Sequence, residues 1–101
     1  VPPQIFIDNK ASTTHTVIEV CGRNRTGFLN KIAWTLTQQG LQIGQSRIST
    51  YGERAVDVFY VKDVFGMKIE QEAKIAAIRK ALMAALEELA TDPSGAAKTR
   101  K

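Results

Sequence analysis

A chain of 101 residues with 44 % hydrophobic content is one domain's worth of sequence, able to bury a core without disulfide or metal staples. Its lone cysteine, Cys21, excludes an internal disulfide framework and fits a reducing, cytoplasmic setting; no apolar run approaches the roughly 20 residues that cross a bilayer, and no signal-peptide pattern opens the chain. The net charge of +4 does not make a basic nucleic-acid surface, because Lys98, Arg100 and Lys101 against Asp92 place +2 of it in the last residues and leave only +2 for the body.

The start at Val1, directly followed by Pro2-Pro3, reads as a piece cut from something longer. Residues 1–90 are the expected domain. Residues 91–101, with Pro93, Ser94, Gly95 and a few cations, have little to bury and are expected to form a disordered basic tail.

Behind the two prolines, Gln4 to Asp8 is rich in β-branched and aromatic residues and predicts a short strand. Asn9 to Thr13 is turn material. Thr14 to Cys21 predicts a second strand, apolar at both parities toward its end and therefore central. After a loop from Gly22 to Thr26, Phe28, Leu29, Ile32, Ala33 and Leu36 recur at helical spacing from Gly27 until Gly40 stops them. Leu41 to Tyr51 and Arg54 to Lys62 predict two further strands, joined through Gly52-Glu53 as a tight hairpin. Glu70 to Ala90 places Ile75, Ile78, Leu82, Ala85, Leu86 and Leu89 on one stripe of a second helix.

The order β-β-α-β-β-α makes the second and third strands parallel through a right-handed crossover, with the fourth strand between them and the first on the edge beside the second. This is a ferredoxin-like α+β sandwich with two helices on one face of an antiparallel-rich four-stranded sheet. The other face needs a partner or water. Ile43, Ile48 and Tyr51, with Val17, are the residues expected to pair with another copy. In the fourth strand Asp57, Phe59 and Val61 share one face and Val56, Val58 and Tyr60 the other, and the pattern does not say which set is the core.

Cys21-Gly22-Arg23-Asn24-Arg25-Thr26-Gly27-Phe28-Leu29 runs from a strand through a glycine-bearing loop into a helix. The first amides of a helix have no internal partner and sit at the positive end of its dipole, so a carboxylate or phosphate fits there. Gly27 keeps the approach free of a side chain. Asn24 is able to accept from an ammonium group and donate to a carboxylate, and Thr26 is a candidate helix cap. The plain alternative is that both only close a turn, with Arg23 and Arg25 solvated.

Gly22-Arg23-Asn24-Arg25-Thr26-Gly27-Phe28-Leu29 resembles the G-R-D-R-P-G-L-L signature of ACT domains, and Tyr51 through Asp63 fits their central hairpin. More narrowly, Pro2 to Asn9 leading into Thr16 to Val20 resembles the C-terminal ACT domain of the bacterial bifunctional PII-protein uridylyltransferase/uridylyl-removing enzymes, a likeness that covers about residues 1–90. The resemblance implies a regulatory amino-acid sensor, with glutamine as its ligand, that governs addition or removal of uridylyl groups on the PII signal protein by catalytic domains upstream. It also implies that Arg23, Asn24, Arg25, Thr26, Gly27, Phe28 and Leu29 bind the ligand, which is often shared between two ACT modules. Two positions depart from the signature. Asn24 in place of Asp removes a charge that would grip an ammonium group, and Thr26 in place of Pro leaves the loop less pre-organised, so the preference is expected to shift from zwitterions toward anions or toward no small ligand.

With His15 as the one histidine, no His-based metal site or Ser/His relay is expected, and neither a catalytic residue, a metal nor a cofactor is assigned. His15 reads as a strand-surface residue, and Trp34, off the apolar stripe of its helix, as either a contact point or simple packing. An acylphosphatase-type enzyme would need a different glycine-valine loop. An RNA-recognition sheet would need aromatics on one face, whereas Phe59 and Tyr60 are adjacent and point opposite ways. The remaining rival is a dimerisation or interaction module that binds no metabolite.

Overall fold

In the computed structural model, which describes residues 2–91, the chain runs β1 (Gln4–Asp8), β2 (Thr16–Arg23), α1 (Phe28–Gln38), β3 (Gln42–Tyr51), β4 (Arg54–Lys62) and α2 (Glu72–Thr91). The sheet order is β1-β2-β4-β3, with every neighbouring pair antiparallel. The fold is the expected ferredoxin-like α+β sandwich. None of the described helices is long and apolar enough to cross a membrane.

Local chemistry sets the element boundaries. β2 begins at Thr16 rather than Thr14 because the Ser12 hydroxyl accepts the amides of Thr14 and His15, at 3.2 and 3.1 Å, and holds them in a turn. His15 therefore precedes the strand, and its ring meets Tyr60 edge-on at 6.3 Å. α1 ends on two reverse bonds, from the Gly40 amide to the Thr37 carbonyl at 2.9 Å and from the Leu41 amide to the Leu36 carbonyl at 3.2 Å, while Leu36 and Leu41 are both buried. α2 begins two residues later than its stripe suggests, since the Ile69 amide is already held by the Thr16 hydroxyl at 2.8 Å. Its far end reaches Thr91, and residues 92–101, where the tail is expected, lie outside the described residues.

Register decides what the alternation in β4 leaves open. Phe59 pairs with Ile18 and Val61 with Thr16, all buried, so Ala55, Asp57, Phe59 and Val61 face the helices. Val56, Val58 and Tyr60 share the open face with Val17 and Tyr51. Ile43 and Ile48 do not join them. A register shift between Ile43 and Gln45 inserts Gly44 as an extra residue, which turns Ile43 toward Val61 and Ile48 toward Asp57, on the helix side of the edge strand.

Between sheet and helices, Ile18, Val20, Phe59, Ile32, Leu36, Ile78 and Leu82 form the centre of the core. Phe28 seats its ring against Gly22, where an added Cβ would lie 2.9 Å from the ring and a bulkier residue would push α1 off the sheet. That contact places the beginning of α1 directly over the end of β2.

Candidate functional site

The segment after β2 is held from several sides. The Asn24 amide donates to the Glu53 carbonyl at 2.6 Å, tying the loop to the turn between β3 and β4. The Phe28 amide donates to the Arg25 carbonyl at 3.1 Å, and the first helical bond runs from the Lys31 amide to the Gly27 carbonyl at 2.9 Å. Gly27 is the cap residue and has φ 84°, a left-handed conformation that a side chain would strain; this, beyond the open approach, is the reason for glycine here. No side chain caps the helix, so Thr26 does not play that part, and no acidic residue stands in the first turn. The positive end of α1 is left without a countercharge from its own turn.

Beside this end lies a cleft of about 240 Å³, lined by Asn24, Arg25, Gly27, Phe28, Leu29, Asn30, Ile48, Ala55 and Asp57. Five of the seven residues named from the loop, Asn24, Arg25, Gly27, Phe28 and Leu29, meet there. Arg23 and Thr26 are not among its walls. Arg23 lines neighbouring depressions and forms an exposed ion pair with Glu53 at 3.6 Å. Arg25 donates from Nη1 to the Leu89 carbonyl near the end of α2, a helix with no basic residue in its own last turn. Both arginines therefore have partners in the chain, and the loop is less open to anions than its sequence implies.

Asn30, Ile48, Ala55 and Asp57 were not among the loop candidates. Asp57 alters the chemistry most. It sits in the middle of β4, wholly buried, and neither carboxylate oxygen has a hydrogen-bond partner. Burial alone pushes its carboxyl from 3.8 up to about 6, so at neutral pH it is still an anion. The sequence signal was an acid alternating with Ala55, Phe59 and Val61 in an apolar strand, but only register shows that this face is the inside. The cleft thus carries a negative floor under a rim with Arg25 and the helix amides, a charge arrangement suited to a zwitterion.

Cys21, by contrast, is a buried thiol on the open side of the sheet, held near Glu19 and raised in pKa by burial and by that carboxylate, which leaves it a weak nucleophile. Among the described residues no group of three His, Cys, Asp or Glu side chains could hold a metal ion.

A family profile described as the ACR family N-terminal ACT domain matches residues 11–88. A bifunctional uridylyltransferase/uridylyl-removing enzyme of Rhodospirillum rubrum is 60 % identical over 86 residues, covering 85 % of this chain and 9 % of that protein. The enzyme of the same name from Azospirillum brasilense is 58 % identical over 94 residues, covering 93 % of this chain and 10 % of that protein. The chain spans about a tenth of the length of these relatives. Among solved structures, an unknown protein from Galdieria sulphuraria superposes with a TM-score of 0.55 at 23 % identity, covering 69 % of this chain and 37 % of that one, a likeness of fold. With its β-β-α-β-β-α order of elements, its glycine-capped helix start and a profile match over most of its length, the chain belongs to the ACT-domain family, in the ACR branch.

Proposed function

We propose that this chain is the C-terminal, amino-acid-sensing ACT module of a cytoplasmic bifunctional uridylyltransferase/uridylyl-removing enzyme. It has no catalytic machinery of its own. Glutamine is its ligand, and occupancy sets the balance between transfer and removal of uridylyl groups on the PII signal protein by catalytic domains upstream. The domain itself comprises residues 1–90.

The observation that carries this reading is the cleft at the start of α1, where a negative floor and a positive rim lie across about 240 Å³. A free amino acid carries both charges at the matching ends. The relatives' names support the enzyme assignment, and the residues from Pro2 to Asn9 resemble the C-terminal module of those enzymes. A thermal-shift screen of the chain against the amino acids, sulfate and phosphate tests it, because any binder of the native state raises the midpoint by mass action. Glutamine is expected to raise it and the simple anions to leave it unchanged. A rise with phosphate and none with any amino acid would reject the sensor.

A second reading has its own observation. The open sheet face carries Phe6 and Tyr51 at 51 % and 66 % exposure on its two edge strands, with the half-buried Val58 and the charged Glu19, Arg47 and Arg54 between them and Val17 already buried, a surface suited to another ACT domain or a second copy of this chain. In that reading the module pairs without binding a metabolite. Pairing through this face is by itself compatible with sensing, and a ligand shared between paired modules would then join the two.

A further inference from the structure

We infer that the Asp57 carboxylate, on the floor of the cleft at the start of α1, receives the ammonium group of the bound amino acid. This rests on the sensor reading above and adds to it the residue that selects an amine-bearing ligand.

Buried polar groups in folded chains nearly always have a partner, and a buried carboxylate without one is costly. Asp57 is such a group: wholly buried, with both oxygens unpartnered. Its neighbours across the sheet are Val20 on β2 and Ile48 on β3, which offer no donor. From the helix side the cleft is walled by Phe28 and Leu29. The one cation in the lining, Arg25, directs Nη1 to the Leu89 carbonyl and, like the side chains of Asn24 and Asn30, makes no hydrogen bond to Asp57. An ammonium group from outside this set supplies the missing countercharge.

An α-amino acid brings it. Its ammonium group supplies up to three donors to the two Asp57 oxygens, while its α-carboxylate lies toward the amides of α1, where no side chain or acidic residue competes. The side chains of Ile48, 47 % exposed, and of Asn24 and Asn30, both exposed, are those in the lining with room to turn aside as the ligand enters. Asn24 at the rim is neutral, so the charge that meets an ammonium group here is that of Asp57 in the strand beneath. A 2-hydroxy acid of the same shape would leave Asp57 facing a neutral hydroxyl and is selected against.

The test is a calorimetric titration near pH 7.5 of this chain and of its Asp57→Asn variant, each with L-glutamine and with the 2-hydroxy analogue of glutamine. In the unaltered chain glutamine is expected to bind about ten- to a hundredfold more tightly than the analogue, the worth of a hydrogen bond to a charged group. Asp57→Asn is expected to lose about the same factor for glutamine and to stop distinguishing the two. Glutamine binding that survives Asp57→Asn unchanged, or equal affinity of the unaltered chain for both ligands, would overturn the inference and leave the sensor reading standing. Absence of glutamine binding to the unaltered chain would instead remove the sensor reading, and this inference with it. Were the variant to unfold, the comparison of the two ligands on the unaltered chain decides by itself.

Discussion

Asp57 also leaves a signature in stability, because a group whose carboxyl is pushed from 3.8 up to about 6 holds its proton more firmly in the folded chain than in the unfolded one. Its contribution is most favourable below about pH 4 and is lost as pH rises through about 6, at a cost on the order of 3 kcal/mol at neutral pH. Asp57→Asn removes this titration. The difference in unfolding free energy between variant and parent, from urea melts at pH 4 and pH 7, is therefore expected to move in the variant's favour by about 2–3 kcal/mol. No change with pH would mean that the carboxylate is better solvated or paired than its surroundings indicate. Of the site, the sequence exposed the residues of the loop, since glycine and helix start are adjacent in the chain. It left Asp57 ambiguous, because alternation gives two faces and does not label them.

At the scale of elements, both helices lack a basic residue in the last turn and take a cation from elsewhere: Lys74 of α2 donates to the Gln39 carbonyl at 2.7 Å, at the end of α1, and Arg25 donates to Leu89 near the end of α2. The join between the sheet and the segment leading into α2 is a polar clasp around the buried Thr16. Thr16 donates to Asn9 Oδ1 at 2.5 Å and accepts the Ile69 amide at 2.8 Å, while Asn9 Nδ2 donates to the Ile69 carbonyl at 2.7 Å. Thr16→Val keeps the shape and leaves the Ile69 amide without its acceptor, for which a loss of about 1–3 kcal/mol is expected in a denaturant melt. A loss within error would show that water reaches this clasp. Periodicity revealed the helices to within two residues, but not the clasp, since Asn9 and Thr13 alike read as turn residues.

For the molecule as a whole, two helices cover one face of the sheet and leave the other with Phe6, Val17, Val58 and Tyr51. The proposed pairing predicts concentration-dependent dimerisation in sedimentation velocity. Replacing Phe6 and Tyr51 together by Lys is expected to weaken it at least tenfold while leaving thermal stability nearly unchanged, because both side chains are exposed in the single chain. A chain that sediments as a monomer at high concentration would show the open face to be merely wetted.

The sequence alone determined the order of elements, the sheet order and the position of the helix-start loop, all of which follow from local periodicity, turn residues and the handedness of one crossover. Only the tertiary structure decided which face of β4 is buried, that Gly44 turns Ile48 onto the cleft, and that Arg25 is held by Leu89, 64 residues further along. Those outcomes depend on register and side-chain reach between segments far apart in the chain, and a one-residue shift of pairing reverses every face while leaving the local pattern unchanged.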